Sequence, residues 1–428
     1  MESVTLEAAS FPQRLRALWP AILVLSVLAV LPIGSGAEVP LVIAGVAGLV
    51  ICWRARAQLR ADSGVRLAVT LFACYWLAAL VSAPLAVAPE KTWSTVGVLL
   101  RFLPFALFAV LTLRNASGWP QIECAVATIV GLWLLDAWVQ IFTGRSIAGP
   151  MEAERLAGIF GAGNLKLGPV LAVLSPFLLK AARDRFGVRG LIVAIVFMLM
   201  PILLAGSRAA WLMYALIVAV FVWRQTRAPL RFAAWAAVAI VAVGAAAWIA
   251  DRDSPQFAAR VQRTLLVLSG SESGIDEASA GRLRIWGTAL RMIAAHPVAG
   301  VGVRGFRYAY PQFAQPGDAF VDAKSGEGAA HAHQLVLEVL SETGIAGLLL
   351  WIAGATAAIG AWRRASVPAR ERALAPALAL AAMCFPLNSH FAFYSAWWGL
   401  LFWWLLALYI AALAAERVDG ARTNPGSR

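Results

Sequence analysis

Apolar runs of about 18 residues or more recur along this chain from end to end, and each can cross the ~30 Å hydrocarbon core of a bilayer as a helix. Nothing else in the sequence restricts the fold as strongly. The runs predict an all-α, polytopic integral membrane protein with about twelve transmembrane helices. They fall near 18–35, 39–53, 67–86, 93–113, 119–143, 164–181, 190–206, 209–223, 232–250, 335–361, 374–392 and 394–415. Composition agrees: 14% of the 428 residues are charged, against roughly a quarter in soluble domains.

Charge placement orients the spans. With the N-terminus inside, Arg14 and Arg16, the group Arg54 to Arg66, Arg114, the group Lys180 to Arg189, the group Arg224 to Arg231, the group Arg363 to Arg372, and Arg417, Arg422 and Arg428 all fall on the cytoplasmic side. Five of the six opposite connections hold few basic residues, as the positive-inside rule requires. The same rule accounts for the net charge of +13, which in a soluble protein would point to nucleic acid; no nucleic-acid partner is expected. All four cysteines lie in apolar runs, which argues against a disulfide framework or a cysteine-based metal site. The first apolar run continues as a span, so no cleavable signal peptide is expected.

The spans make 1–428 a single polytopic domain, interrupted by one long polar stretch, 251–334, on the outer side. That length exceeds any plain connector and marks function. Within it, Arg282 to Ala295 places Ile285, Trp286, Ala289, Leu290 and Ile293 at helical spacing, with Gly281 before and Pro297 after. A second amphipathic run, Phe257 to Leu268, is expected along the membrane surface.

The outer loops collect cations where helices begin or end. These are Arg155, Lys166 opening the sixth span, Arg208 in a very short turn, Arg282 and Arg284 at the amphipathic helix, and Arg304 and Arg307. A guanidinium fork grips a phosphate through two parallel hydrogen bonds, and a helix N-terminus adds backbone donors. Arg208 and one of Arg282 and Arg284 therefore read as ligands for a lipid-linked phosphate or pyrophosphate. Arg304 and Arg307 read as contacts to anionic headgroups. His331 and His333 close the polar stretch, and a neutral imidazole is the usual general base for a hydroxyl. His-x-His also suits a metal, but no further ligands stand at zinc-like spacing, so no metal is expected. His296 beside Pro297 reads as structural, and His390, in the last external turn, as a candidate to line the same cavity. Arg101 and Asp136 lie inside spans, ~10–12 Å below the outer surface at 1.5 Å rise per residue, and are expected to pair or to line the site.

The segment from His333 and Gln334 through nine residues to Gly344 and Gly347 is similar to the H-[NSQ]-x9-G-x-x-G signature of bacterial O-antigen ligases. RLAGIFGAGN at 155–164, GSRAAW at 206–211, GRLRIW at 281–286 and HPVAGVGVRGF at 296–306 extend the resemblance to the O-antigen ligase and polymerase superfamily. The resemblance implies a metal-independent, inverting glycosyltransferase of the inner membrane that needs no cofactor. It would move O-antigen polysaccharide from undecaprenyl pyrophosphate to lipid A–core oligosaccharide. It places His333 at the essential histidine, and Arg208 with Arg282 or Arg284 at the essential arginines.

Two rivals share the donor: an O-antigen polymerase and a ligase that glycosylates protein. The His–Gly signature favours the lipopolysaccharide ligase. A polysaccharide or lipid transporter would also suit twelve helices, but carriers commonly show two related halves with a central site. No such halves are visible here, and the polar residues gather on one face.

Overall fold

The computed structural model describes residues 11–114, 118–151 and 155–231, a few positions from 233 to 244, and 279–415. The expected ninth span falls largely outside the described residues. The expected surface helix Phe257 to Leu268 lies wholly outside them.

The described residues are mostly helical. In order come α1 (Phe11–Ala29), α2 (Glu38–Leu59), α3 (Ser63–Ser82), α4 (Pro89–Leu99), α5 (Phe102–Thr112), α6 (Trp119–Thr143), α7 (Leu167–Leu204) and α8 (Arg208–Thr226). They are followed by α9 (Arg282–Ala295), α10 (Phe306–Phe313), α11 (Leu335–Arg364), α12 (Val367–Met383) and α13 (Ala396–Ala414). The described strands are a two-residue hairpin, β1 (Arg145–Ser146) with β2 (Gly149–Pro150). Among the described residues eight helices are long and apolar enough to cross a membrane, so the all-α polytopic reading holds.

Several spans differ from their sequence reading. The fourth is two helices, α4 and α5, parted at Leu100 and Arg101. The sixth and seventh are joined as α7, but Gly187 (φ 67°, ψ −155°) sits in a region almost closed to side-chain-bearing residues and divides the helix where two spans were expected. The tenth is broken at Gly344 (φ 64°, ψ −167°). The eleventh stops at Met383, and residues 384–395 run in turns between α12 and α13. Pro386, which lacks an N–H, fits that interruption.

Helices pack closely where small residues allow it. A Cβ on Gly48 of α2 would collide with the Pro104 carbonyl of α5, and Gly354 of α11 lies against Cys74 of α3. The core centres on α13, where Trp403 and Trp404 are fully buried and the Trp404 indole N–H donates to the Val24 carbonyl of α1. One end of the bundle gathers much of the basic connecting chain. There Arg114 pairs with Asp62, Arg224 with Glu371, and Arg372 donates to the carbonyls of Ala412 and Ala415. The opposite end carries the polar segment, which builds a small core of its own from Ile285, Ala289, Met292, Val301, Phe306 and Tyr310.

Candidate active site

The signature around His333 folds as a cap followed by a break. Gln334 stands at the N-cap of α11 and its side-chain oxygen accepts from the Leu337 N–H at 2.6 Å, the job of a polar side chain at that position. His333 just before it is held at φ 54°, a left-handed conformation uncommon outside glycine. After nine intervening residues from Gln334, α11 opens at Gly344, and a strap of chain from Pro297 to Gly302 fills the gap. Ile345 N–H donates to Pro297 O at 2.8 Å and Ala346 N–H to Val298 O at 3.2 Å, while Val301 N–H and Gly302 N–H donate to Ser341 O and Glu342 O at 2.8 and 2.9 Å. A Cβ on Gly344 would strike the Val298 carbonyl, and one on Gly300 the Glu342 backbone. The glycine pieces at 296–306 and 344–347 therefore form one backbone crossing. Val87 N–H to Val301 O at 2.9 Å and Thr92 Oγ1 to Val303 O at 3.1 Å anchor the strap to the bundle.

The two histidines lie ring against ring, centroids 3.9 Å apart, and their hydrogen bonds assign them different tautomers. His333 Nδ1 lies 2.7 Å from the Ser389 carbonyl, which only accepts, so Nδ1 carries the proton and Nε2 is left as a lone pair. His331 Nδ1 accepts from the His333 backbone N–H at 3.3 Å, so its proton is on Nε2. Burial lowers the pKa of His333; the Ser389 bond opposes this and nearby Arg282 adds to it. Burial, then His333, Arg304, His390 and Arg307, hold His331 well below the ordinary range. Burial, with Arg282, His333 and Arg155, pulls His390 down to about 4. All three rings are neutral near pH 7.

The arginines approach from two helix starts. Arg208 is the first residue of α8, after a three-residue turn in which Ser207 Oγ accepts from the Ala210 N–H at 3.2 Å. Arg282 is the first residue of α9, which opens on Gly281 at φ 74°. The Trp286 indole N–H ties α9 to the Ala332 carbonyl at 3.1 Å, holding the helix against the His331–His333 segment. Arg282 is partly buried, and its pKa is lowered by that burial and by the charge of Arg208, so the two guanidiniums share a neighbourhood. Arg284 is exposed. The side of α9 that packs is Ile285, Thr288, Ala289 and Met292, whereas Leu290, expected on the buried face, is 57% exposed.

A polar cavity of about 500 Å³ opens beside the histidines, lined by residues 162–166, His331, His390 and Trp398. Lys166 lies with its ammonium 4.4 Å from the centre of the Trp397 ring, and burial lowers its pKa. Arg155 is close enough to act on the charge of His390. His331, His333, His390, Arg155, Lys166, Arg208 and Arg282 thus come from five separate stretches of chain.

Other expectations resolve differently. Arg101 and Asp136 do not pair: Arg101 Nη2 lies 2.8 Å from Glu38 Oε1, and Asp136 Oδ1 accepts the Ile147 N–H at 2.8 Å. Each has a partner of its own instead. Asp136 instead anchors the 145–158 loop together with Gln140, whose Oε1 accepts from Ala157 and Gly158 at 3.2 and 2.7 Å. Arg307 pairs with Glu327 at 3.3 Å, and the His296 ring packs edge-on against Phe313, a structural role as expected. Sequence reasoning passed over Glu338, Glu342 and Ser389. The two acids lie one helical turn apart on α11 and have no exposed surface. Their spacing resembles an ordinary solvated face, and Ser389 acts through a backbone carbonyl that every residue possesses.

No curated protein matches the chain. Residues 193–352 match the family model described as O-antigen ligase, a range that includes Arg208, Arg282, both histidines and the Gly344 crossing. Across those residues the chain is similar to the O-antigen ligase superfamily.

Proposed function

We propose that the protein is an O-antigen ligase, a metal-independent, inverting glycosyltransferase of the bacterial inner membrane, with both termini cytoplasmic and the site facing the periplasm. Its donor is O-antigen polysaccharide on undecaprenyl pyrophosphate, and its acceptor is lipid A–core oligosaccharide. The observation that carries this reading is a neutral His333 with Nε2 unprotonated, beside an arginine pair set on two helix N-termini.

In the proposed reaction His333 Nε2 takes the proton of the acceptor hydroxyl as its oxygen bonds to the anomeric carbon. The bond from that carbon to the pyrophosphate oxygen breaks, and the electron pair leaves with the pyrophosphate. Attack comes from the face opposite the leaving group, so the configuration inverts. Arg208 and Arg282 meet the departing charge with fixed donors, which removes the need for a strong general acid. His331, with its proton on Nε2, presents a donor rather than a second base.

The test uses a ligase-deficient Gram-negative host that supplies the matched donor and acceptor. At equal membrane expression the wild type restores a lipopolysaccharide ladder and His333→Ala does not, with long glycan accumulating on undecaprenyl pyrophosphate. A ladder that survives His333→Ala removes the base. No ladder from the wild type, with donor and acceptor confirmed, moves the assignment to a polymerase or a protein-glycosylating enzyme.

A further inference from the structure

Residues 384–395 leave the helical path and yet supply the carbonyl that fixes His333, so something must hold them. Asn388 Nδ2 donates to the carbonyls of Ala382 and Met383 at 3.3 and 3.2 Å, which secures the start of the segment. Its far end is gripped at the Phe393 peptide from both sides. Tyr75 Oη of α3 donates to Phe393 O at 3.0 Å, and Phe393 N–H donates to Glu338 Oε1 at 2.8 Å.

Glu338 has no exposed surface, and burying a carboxyl group is unfavourable unless hydrogen bonds offset it. Its second oxygen, Oε2, has no hydrogen-bond partner among the described residues and faces His331 Nδ1 at 3.7 Å. One side chain on the first turns of α11 therefore touches His331 directly and His333 through the 389–393 segment. An apolar residue of similar size would fill the same space without holding the Phe393 amide.

We propose that Glu338 is a positioning residue for the base: by holding the Phe393 amide it keeps the Ser389 carbonyl on His333 Nδ1, and so maintains the tautomer that leaves Nε2 open. The proposal rests on the transfer reading for its chemistry, while the hydrogen-bond chain exists with or without turnover. It predicts that Glu338 acts as an acceptor, so that its charge is dispensable and its oxygen is not.

The experiment uses the full chain with ¹⁵N-histidine, whose four histidines keep the spectrum assignable by single substitution. In the wild type His333 shows a protonated Nδ1 and a bare Nε2. Glu338→Gln keeps an oxygen for Phe393 and is expected to preserve both that tautomer and transfer activity within about twofold. Glu338→Leu is expected to give mixed His333 tautomers and to lower kcat about 10- to 100-fold at unchanged KM, the range for removing an outer partner of an oriented histidine. A Glu338→Leu protein with the wild-type tautomer overturns the proposal, as does a Glu338→Gln protein as impaired as the leucine variant. Should the leucine variant not fold, Glu338→Gln carries the test alone, and a changed tautomer or a loss beyond tenfold refutes the acceptor role. A wild type with the expected tautomer but no glycan transfer defeats the ligase reading instead and leaves the hydrogen-bond chain standing.

Discussion

His333 Nδ1 and the Ser389 carbonyl oxygen stand 2.7 Å apart, which joins the segment before α11 to the segment before α13. The bond decides which nitrogen of His333 can accept a proton, and burial sets the pH at which it still can. Because the pKa of His333 lies below the ordinary 6.5, the neutral base persists on mild acidification. The kcat/KM for glycan transfer is therefore expected to be flat from pH 8 to 6.5 and to fall only below that. An acid limb with its midpoint above pH 6.5 contradicts the assignment.

The same burial links acidity to stability. Above pH 6.5 folded and unfolded chains both hold these rings neutral, and the histidines contribute nothing to pH dependence. Below 6.5 the unfolded rings take up protons while the folded ones, their pKa values lowered, do not, so stability falls with pH. For His390 the decline continues to about pH 4. Thermal unfolding in detergent should show a lower midpoint at pH 5 than at pH 7, and His390→Gln should reduce that difference. An unchanged difference in the variant counts against a buried, neutral His390.

Arg282 and Arg284 are two residues apart in sequence and differ in surroundings: one neighbours Arg208 and His333, and the other is exposed. Arg282→Ala is expected to lower kcat by about 10²- to 10³-fold, the scale for losing one preorganised donor to a developing anion. Arg282→Lys should recover little, since an ammonium has no planar fork. Arg284→Ala should remain within a few-fold of wild type. Equal losses at the two positions would undo this distinction.

Gly344 is required by geometry rather than chemistry. Alanine there must adopt φ 64° and ψ −167°, which costs about 1–3 kcal/mol, and must also displace the Val298 carbonyl. Gly344→Ala and Gly300→Ala are each expected to lower the thermal midpoint, and activity falls with the displaced strap. A stable, fully active Gly344→Ala protein would show that the crossing of 297–302 over α11 is dispensable.

What could be read from sequence follows from which interactions leave a local mark. The helix at Arg282 to Ala295 was legible to the residue, because Gly281 opens it and Pro297 follows it. Its buried face was legible in part: Ile285 and Ala289 are buried as read, but the helix packs against Val301, Phe306 and Ala332, which come from further along the chain, and Leu290 lies outward with Thr288 inward. The cations stood out in the sequence because arginine beside an apolar span is conspicuous, but proposing Arg282 rather than Arg284 needs the direction of α9, which the Trp286–Ala332 bond helps to fix. The pairing expected for Arg101 and Asp136 used depth alone, and depth says nothing about position around a bundle. Gly344 and Gly347 were recognised as a motif, whereas the break they permit depends on a strap more than forty residues upstream.

The most direct measurement of the central claim is transfer in a purified system: detergent-solubilised protein, O-antigen on undecaprenyl pyrophosphate, and lipid A–core, at pH 7.5. Wild type is expected to form the glycan–core product with inversion at the anomeric carbon, and His333→Ala to form it at least about 10²-fold more slowly while still binding the donor. Product formed by His333→Ala at the wild-type rate, or with retained configuration, would contradict the account.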